Sequence, residues 1–408
     1  MKKIILFTAV VFLLGCSYSA KKKNTTKPMQ SFEKGTYGYD LEVLNKVESP
    51  VELVNGNARV LLSAKYQGRV MTSTAAGKEG KSYGWINHDL ITSGEVLPQF
   101  NPVGGEERFW LGPEGGQFSI FFPAGKSFDF ENWKTPAAID TEAFEIVAVN
   151  DTEVVFSKAI DLLNYSNFRF QLKVKRKITV LDKESLQNEF SIQIPESVKS
   201  VGYQTANTVE NTGDKTWEKE TGLLSVWLLG MFNPSPSVTM FIPYKTGVES
   251  DYIVKDDYFG KIPASRLKVE EGMIFFRGDG KQRGKIGVPP QRALPFLGSY
   301  DEQNNILTIV KTEVPEDATD YVNSAWELQD FPFKGDAINA YNDGPLEDGS
   351  QLGPFYELES SSPALALHPG ESAVHNQITV HFEGSEDVLN TICKQIFTIS
   401  LDEVKNAF

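Results

Sequence analysis

From Gln171 to Leu181 the chain alternates: Leu172, Val174, Ile178 and Val180 fall on one side of an extended backbone, and Lys173, Lys175 and Lys177 fall on the other. A two-residue period of this kind belongs to a strand with one buried face, not to a helix. Beyond Gly35 the same reading recurs in short apolar runs set off by turn residues about every 8 to 12 positions, as in antiparallel sheets. Further strands are predicted over Val60–Tyr66, Glu153–Lys158, Val238–Pro243, Met273–Arg277, Ile306–Lys311 and Val374–Phe382. The turn Asp182-Lys183-Glu184-Ser185 is expected to lead into a second hairpin strand with Leu186, Phe190, Ile192 and Ile194 on its buried face. On the Val374–Phe382 strand, His375, Gln377, Thr379 and His381 share a polar face that the alternation assigns to solvent. Helix is scarce, and its best candidates lie near the C-terminus. One begins at the N-cap Ser385 with Val388, Leu389, Ile392 and Ile396 on a stripe, and a shorter one follows Ser400, where Glu403 completes a capping box.

Residues 35–408 show no internal repeat and no Pro/Gly-rich linker, so a single domain of roughly 370 residues is expected. That length exceeds an ordinary two-layer sandwich and calls for long strands in broad sheets, a large antiparallel β-supersandwich. Disulfides do not enter, because the chain has 2 cysteines, Cys16 and Cys393. Cys393 reads as a small buried hydrophobe.

The N-terminus has a different character. Lys2 and Lys3 precede an apolar run from Ile4 to Leu14, too short to span a bilayer, which needs about 20 residues, but suited to a signal peptide over residues 1–15. Leu13-Leu14-Gly15-Cys16 resembles the bacterial lipobox, which implies diacylation of Cys16 and an exported, membrane-anchored lipoprotein of the cell envelope. Ser17 after the cysteine is similar to sorting signals for the outer membrane. Residues 16–34 form a polar tether with Lys21-Lys22-Lys23 near the lipid. Once Lys2 and Lys3 leave with the signal peptide, 38 basic residues face 54 acidic ones, a net charge of about −16. This excludes nucleic acid as a natural partner and suits a neutral ligand. Membrane contact is expected through the lipid only.

Three segments in order resemble the galactose mutarotase-like superfamily that includes aldose 1-epimerases. They are Tyr66-Gln67-Gly68-Arg69-Val70-Met71, then Asn101-Pro102-Val103-Gly104-Gly105-Glu106-Glu107-Arg108-Phe109-Trp110 with Pro113-Glu114-Gly115-Gly116, then Phe355-Tyr356-Glu357-Leu358-Glu359-Ser360-Ser361-Ser362-Pro363 followed by Leu367-His368-Pro369-Gly370-Glu371-Ser372. The mature chain as a whole looks like a family of uncharacterised bacterial lipoproteins within that superfamily. The resemblance implies a sugar cleft, with Glu359 at the position of the epimerase base.

Mutarotation needs a base on the anomeric hydroxyl and an acid on the ring oxygen. Glu357 and Glu359 are two apart on the expected strand and share a side, so Glu357 is placed to bind sugar hydroxyls or to feel the like charge of Glu359. The epimerases are similar to one another in two cleft histidines, whereas this chain has 4 histidines in all and only His88 stands out as an acid, His368 falling in a predicted surface turn. Arg69 and Arg108 are candidate hydroxyl ligands; Trp110, and Trp217 in the polar run Asp214–Glu218, are candidate stacking platforms. Acidic runs at Glu316–Asp320 and Asp256-Asp257 lack EF-hand spacing, and neither a zinc signature, a phosphate loop nor a Gly-x-Ser-x-Gly elbow occurs. No metal and no cofactor is called for. Three readings stand at this point: a carbohydrate-binding lipoprotein, an aldose 1-epimerase-type enzyme with Glu359 as base, and a structural envelope protein.

Overall fold

The alternation resolves into sheet. The computed structural model describes residues 32–408, so the signal peptide, Cys16 and the tether as far as Ser31 lie outside the described residues. Among the described residues three antiparallel sheets form, of 10, 5 and 3 strands. The fold is the large antiparallel β-supersandwich that the sequence implied, closed by short C-terminal helices.

The ten-stranded sheet runs, in spatial order, Leu267–Glu270, Met273–Arg277, Val238–Pro243, Phe296–Asp301, Ile306–Thr312, Ser372–Glu383, Lys199–Asn211, Arg169–Leu181, Glu153–Leu163 and Glu145–Val149. The five-stranded sheet packs over it in the order Gly284–Val288, Ile338–Asn342, Tyr356–Ser361, Ser225–Phe232 and Arg108–Gly112. Between them lie Phe109, Leu111, Leu228, Ile286, Ile338 and Leu358 from the smaller sheet, and Val174, Val209, Met240 and Val310 from the larger one. The three-stranded sheet, Val51–Asn55, Ala58–Ser63 and Arg69–Thr74, joins the same core through Leu53, Val60 and Val70.

Several expectations are met closely. Val238–Pro243 and Met273–Arg277 are strands, and in Arg169–Leu181 Leu172, Val174, Ile178 and Val180 are buried while Lys173, Lys175 and Lys177 are exposed. The helix Glu386–Phe397 follows the N-cap Ser385, and Leu401–Lys405 begins with the Ser400–Glu403 capping box. Cys393 is buried against Leu389 and Phe397 in the cluster these helices form.

The second arm of the expected hairpin is corrected. Lys183–Phe190 is a helix, capped by Asp182 accepting from the Ser185 amide, and it places Leu186 and Phe190 in the core. A four-residue spacing satisfies one face of a strand and one face of a helix alike, and here the cap decided. Arg169–Leu181 pairs instead with Lys199–Asn211 and Glu153–Leu163. The helices Tyr37–Leu44 and His88–Ser93 were not expected either.

The Ser372–Glu383 strand is also corrected. Its polar face is buried: His375 is 2% exposed, and His381 is 1% exposed. The helices Lys183–Phe190, Glu386–Phe397 and Leu401–Lys405 cover Ile378, Val380 and Phe382 from outside, so the polar residues are turned into the sandwich. There His375, Gln377 and His381 find partners, as buried polar groups generally do. His375 Nε2 bonds Ser360 at 2.9 Å, and Gln377 accepts from Ser360 and donates to Glu107. His381 bonds Glu106 at 2.7 Å through Nε2 and Thr308 at 2.8 Å through Nδ1.

Candidate functional site

Alternation along the five-stranded sheet puts one set of side chains into the core and the other onto the opposite face. Register then gathers Glu359 beside Leu229 and Asn339, Arg108 beside Leu229, Trp110 beside Trp227, and Glu357 beside Tyr341 and Lys285 through Tyr341. That face is covered by loops. The segment after Arg108–Gly112 is held where the Glu114 amide donates to Ser324 at 3.1 Å, and Trp133 stacks on Trp326 at 5.8 Å. The segment around Tyr258 is held by paired Lys255 and Gly287 backbone bonds and by Tyr252 and Tyr258 donating to Asp336.

Under these loops lies an ionic cluster. Glu359 is 0% exposed, and its Oε2 accepts from the Trp227 indole at 2.8 Å and from Lys285 Nζ at 2.8 Å. Its Oε1 takes no N–H or hydroxyl donor. Glu357 is within hydrogen-bonding reach of the Glu359 carboxylate, and its pKa is raised by burial and then by the Glu359 charge, with Arg108 pulling the other way. Two carboxylates two residues apart on one strand are thus held against each other beside Arg108.

Arg108 Nη2 approaches Glu357 at 3.5 Å, a long contact for a buried ion pair, and its Nε and Nη1 are buried with no acceptor in the protein. The guanidinium rests on the Trp110 ring at 4.0 Å and faces Phe100 at 5.1 Å. Burial lowers its pKa, and the charges of Glu357 and Glu359 oppose that fall. Lys285, whose side chain is 13% exposed, opens the cluster toward solvent, with its ammonium 4.6 Å over the Trp227 ring. Glu114 joins from the loop: burial raises its pKa, Lys285 lowers it and Glu359 raises it further, and it bonds Trp326.

The residues singled out in the sequence separate into two groups. Glu357, Glu359, Arg108 and Trp110 meet. Arg69 is buried close by, with a pKa pushed down to about 9 by burial and by the Arg108 charge. Its donors are spent on Gly104 O at 2.6 Å, Gln67 Oε1 at 3.0 Å and Tyr66 O at 3.4 Å, so it braces the paired-glycine loop. That loop needs glycine: Gly105 has φ +117°, and a Cβ there would lie 2.5 Å from Arg69 Cδ. Trp110 is 4% exposed with its indole N–H given to Ile139 O, so it is a platform for Arg108.

Trp217 and His88 stand outside the cluster. The exposed context expected for Trp217 is corrected, since it is 1% exposed and packs edge-on against Phe170 at 5.1 Å. His88 bonds Asp40 at 2.6 Å and meets the Tyr39 ring, on the side of the helix Tyr37–Leu44. His368 is exposed and bonds Thr216. Trp227 and Lys285 went unnoticed in the sequence. Trp227 sits in the run Ser225–Phe232, which is buried throughout, and Lys285 alternates with Ile286 like any solvent-facing lysine.

Below Arg108 a second ionic layer anchors the cluster to the large sheet. Glu107, 0% exposed, accepts from Arg176 at 2.6 Å, Thr205 at 3.1 Å and Gln377 at 3.0 Å. Glu106 takes His381 and Ser73, both at 2.7 Å. These contacts fix the backbone that presents Arg108.

The profile of a protein family described as "Family of unknown function (DUF6786)" matches residues 35–408. No curated protein sequence matches the chain. Among solved structures, the chain is similar to a galactose mutarotase-like protein from Lactobacillus casei ATCC 334, at 10% identity and a TM-score of 0.46, over 82% of this chain and 99% of that one. It is similar to the Slr1438 protein of Synechocystis sp. PCC 6803, at 12% identity and 0.45, over 83% and 96%. It is also similar to a galactose mutarotase related enzyme from Lactobacillus acidophilus, at 8% identity and 0.44, over 82% and 97%. The likeness is one of fold.

Proposed function

The chain belongs to the family of unknown function DUF6786, and from that starting point we propose that it binds a carbohydrate on the loop-covered face of its five-stranded sheet. The observation that carries this reading is the pairing of unmet groups: buried Arg108 Nε and Nη1 lack acceptors while Glu359 Oε1 lacks an N–H or hydroxyl donor. A buried polar group without a partner costs about 1–3 kcal/mol, which a polyhydroxy ligand supplying both donors and acceptors would recover. Trp227, Trp326 and Tyr258 border the cluster with aromatic surface, and Glu114 and Lys285 add polar contacts at its open side.

Saturation-transfer NMR with D-glucose, D-galactose, D-mannose, D-xylose and their short oligosaccharides tests the reading. Transfer to at least one sugar is expected, weakened more than 10-fold in affinity by Arg108→Met while the circular dichroism spectrum is retained. Absence of transfer to every sugar would refute it. The proposal includes envelope anchorage through Cys16 and, by the Ser17 signal, an outer-membrane address. Radiolabelled palmitate should enter the wild-type chain expressed in a Gram-negative host and be absent from Cys16→Ser; equal labelling of both would overturn the anchor.

An aldose 1-epimerase-type activity with Glu359 as base is the second reading. It draws on the closeness of Glu357 to Glu359 and on the Lys285 contact.

A further inference from the structure

We infer that Lys285 is the proton donor that works with Glu359, the two opening and closing the hemiacetal ring of a bound aldose. This rests on the sugar-binding reading and adds a reaction to it. The ion pair is at 2.8 Å, and it leaves the remaining ammonium hydrogens of Lys285 and the Oε1 of Glu359 for a ligand. A hemiacetal asks for that arrangement, because the hydroxyl to be deprotonated and the ring oxygen to be protonated are bonded to the same carbon.

Other donors are otherwise engaged. His88 is bonded to Asp40, His368 lies on the surface with Thr216, and His375 and His381 face the sandwich interior with Ser360 and Glu106. Tyr252 and Tyr258 donate to Asp336, and Tyr341 donates to Asp343. Arg108 lies beside the Glu357 and Glu359 charges, which oppose loss of its proton. Two carboxyl groups compete near the same carboxylate, Glu357, which faces Arg108, and Glu114, which is engaged with Trp326.

The step balances. A proton leaves Lys285 Nζ for the ring oxygen as the C1–O5 bond breaks, and the anomeric hydroxyl proton passes to Glu359 as C1–O1 becomes the aldehyde carbonyl. Ammonium and carboxylate become amine and carboxylic acid, so the pair is neutral before and after, which suits a site shielded from water. Rotation about C1–C2 and reversal of both transfers gives the other anomer and restores the pair.

Exchange NMR on the anomers of the four monosaccharides named above, alongside saturation transfer, tests this. The wild type is expected to accelerate interconversion of at least one aldose. Lys285→Met should lower that rate at saturating sugar by about 100-fold or more, the usual share of a general acid. Lys285→Arg keeps the charge beside Glu359 without a readily transferable proton and should be as slow as Lys285→Met. Near-normal exchange in Lys285→Arg, or loss in Glu357→Gln with retention in Lys285→Met, would overturn the assignment. Sugar binding by the wild type without acceleration would overturn it too while leaving the binding reading intact; no binding at all would remove both.

Discussion

Replacing Arg176 by Met strips the buried Glu107 carboxylate of its cation. Glu107 then keeps two neutral donors, Thr205 and Gln377, in a site with 0% exposure. It has two options: to stay charged in the core at several kcal/mol, or to take up a proton. The second sets the ceiling. Protonating a carboxylate with an ordinary pKa of about 4.3 at pH 7 costs about 3.7 kcal/mol, at about 1.36 kcal/mol per pH unit. Asn207, which Arg176 meets at 2.9 Å, and the Gln67 carbonyl at 3.5 Å also lose a donor, for about 1 kcal/mol more. Urea denaturation followed by tryptophan fluorescence should therefore show Arg176→Met destabilised by about 4 kcal/mol at pH 7. The deficit should shrink by about 2.7 kcal/mol on moving to pH 5, because Glu107 then protonates more cheaply. The pair Arg176→Met with Glu107→Gln should recover most of the loss at pH 7. A deficit below about 1 kcal/mol, or one that is the same at both pH values, would refute the account of this layer as a charge-compensated core.

Burial holds the His375 pKa down at about 4, so the folded state keeps the ring neutral while the unfolded chain titrates near 6.5. A depressed histidine contributes stability above pH 6.5 that is lost as pH falls toward 4, by about 3 kcal/mol in all; urea curves of wild type and His375→Gln across that window should converge, and parallel curves would discount it. Gly105→Ala forces a side chain into φ +117° and onto Arg69 Cδ. It should cost about 1–3 kcal/mol in the same assay and reduce sugar affinity through Arg108; an unchanged stability would show that the loop has room to shift.

How much of this was legible beforehand differs between fold and site. In the sequence, the long run of two-residue alternation left no class but antiparallel sheet, and Ser385, Ser400 and Glu403 marked the terminal helices through their local capping chemistry. The i, i+2 spacing also settled that Glu357 and Glu359 share a side, and the alternation of Lys173, Lys175 and Lys177 with valine and leucine needed no tertiary knowledge. All of these depend on neighbours a few residues away.

What covers each face was decided only by tertiary structure. Alternation sorts side chains into two sets without saying which set meets solvent, so the polar face of His375, Gln377, Thr379 and His381 read as outside until the terminal helices claimed the apolar face opposite. Nor does the charged run Glu106-Glu107-Arg108 carry a local sign of burial, although Arg176, His381 and the Glu357–Glu359 strand, 69 to 275 positions away, compensate it in the core. Lys285 and Trp227 carry no local mark of their role. They reach Glu359 across separations of 74 and 132 residues, through strand pairings that only the folded sheet brings into register.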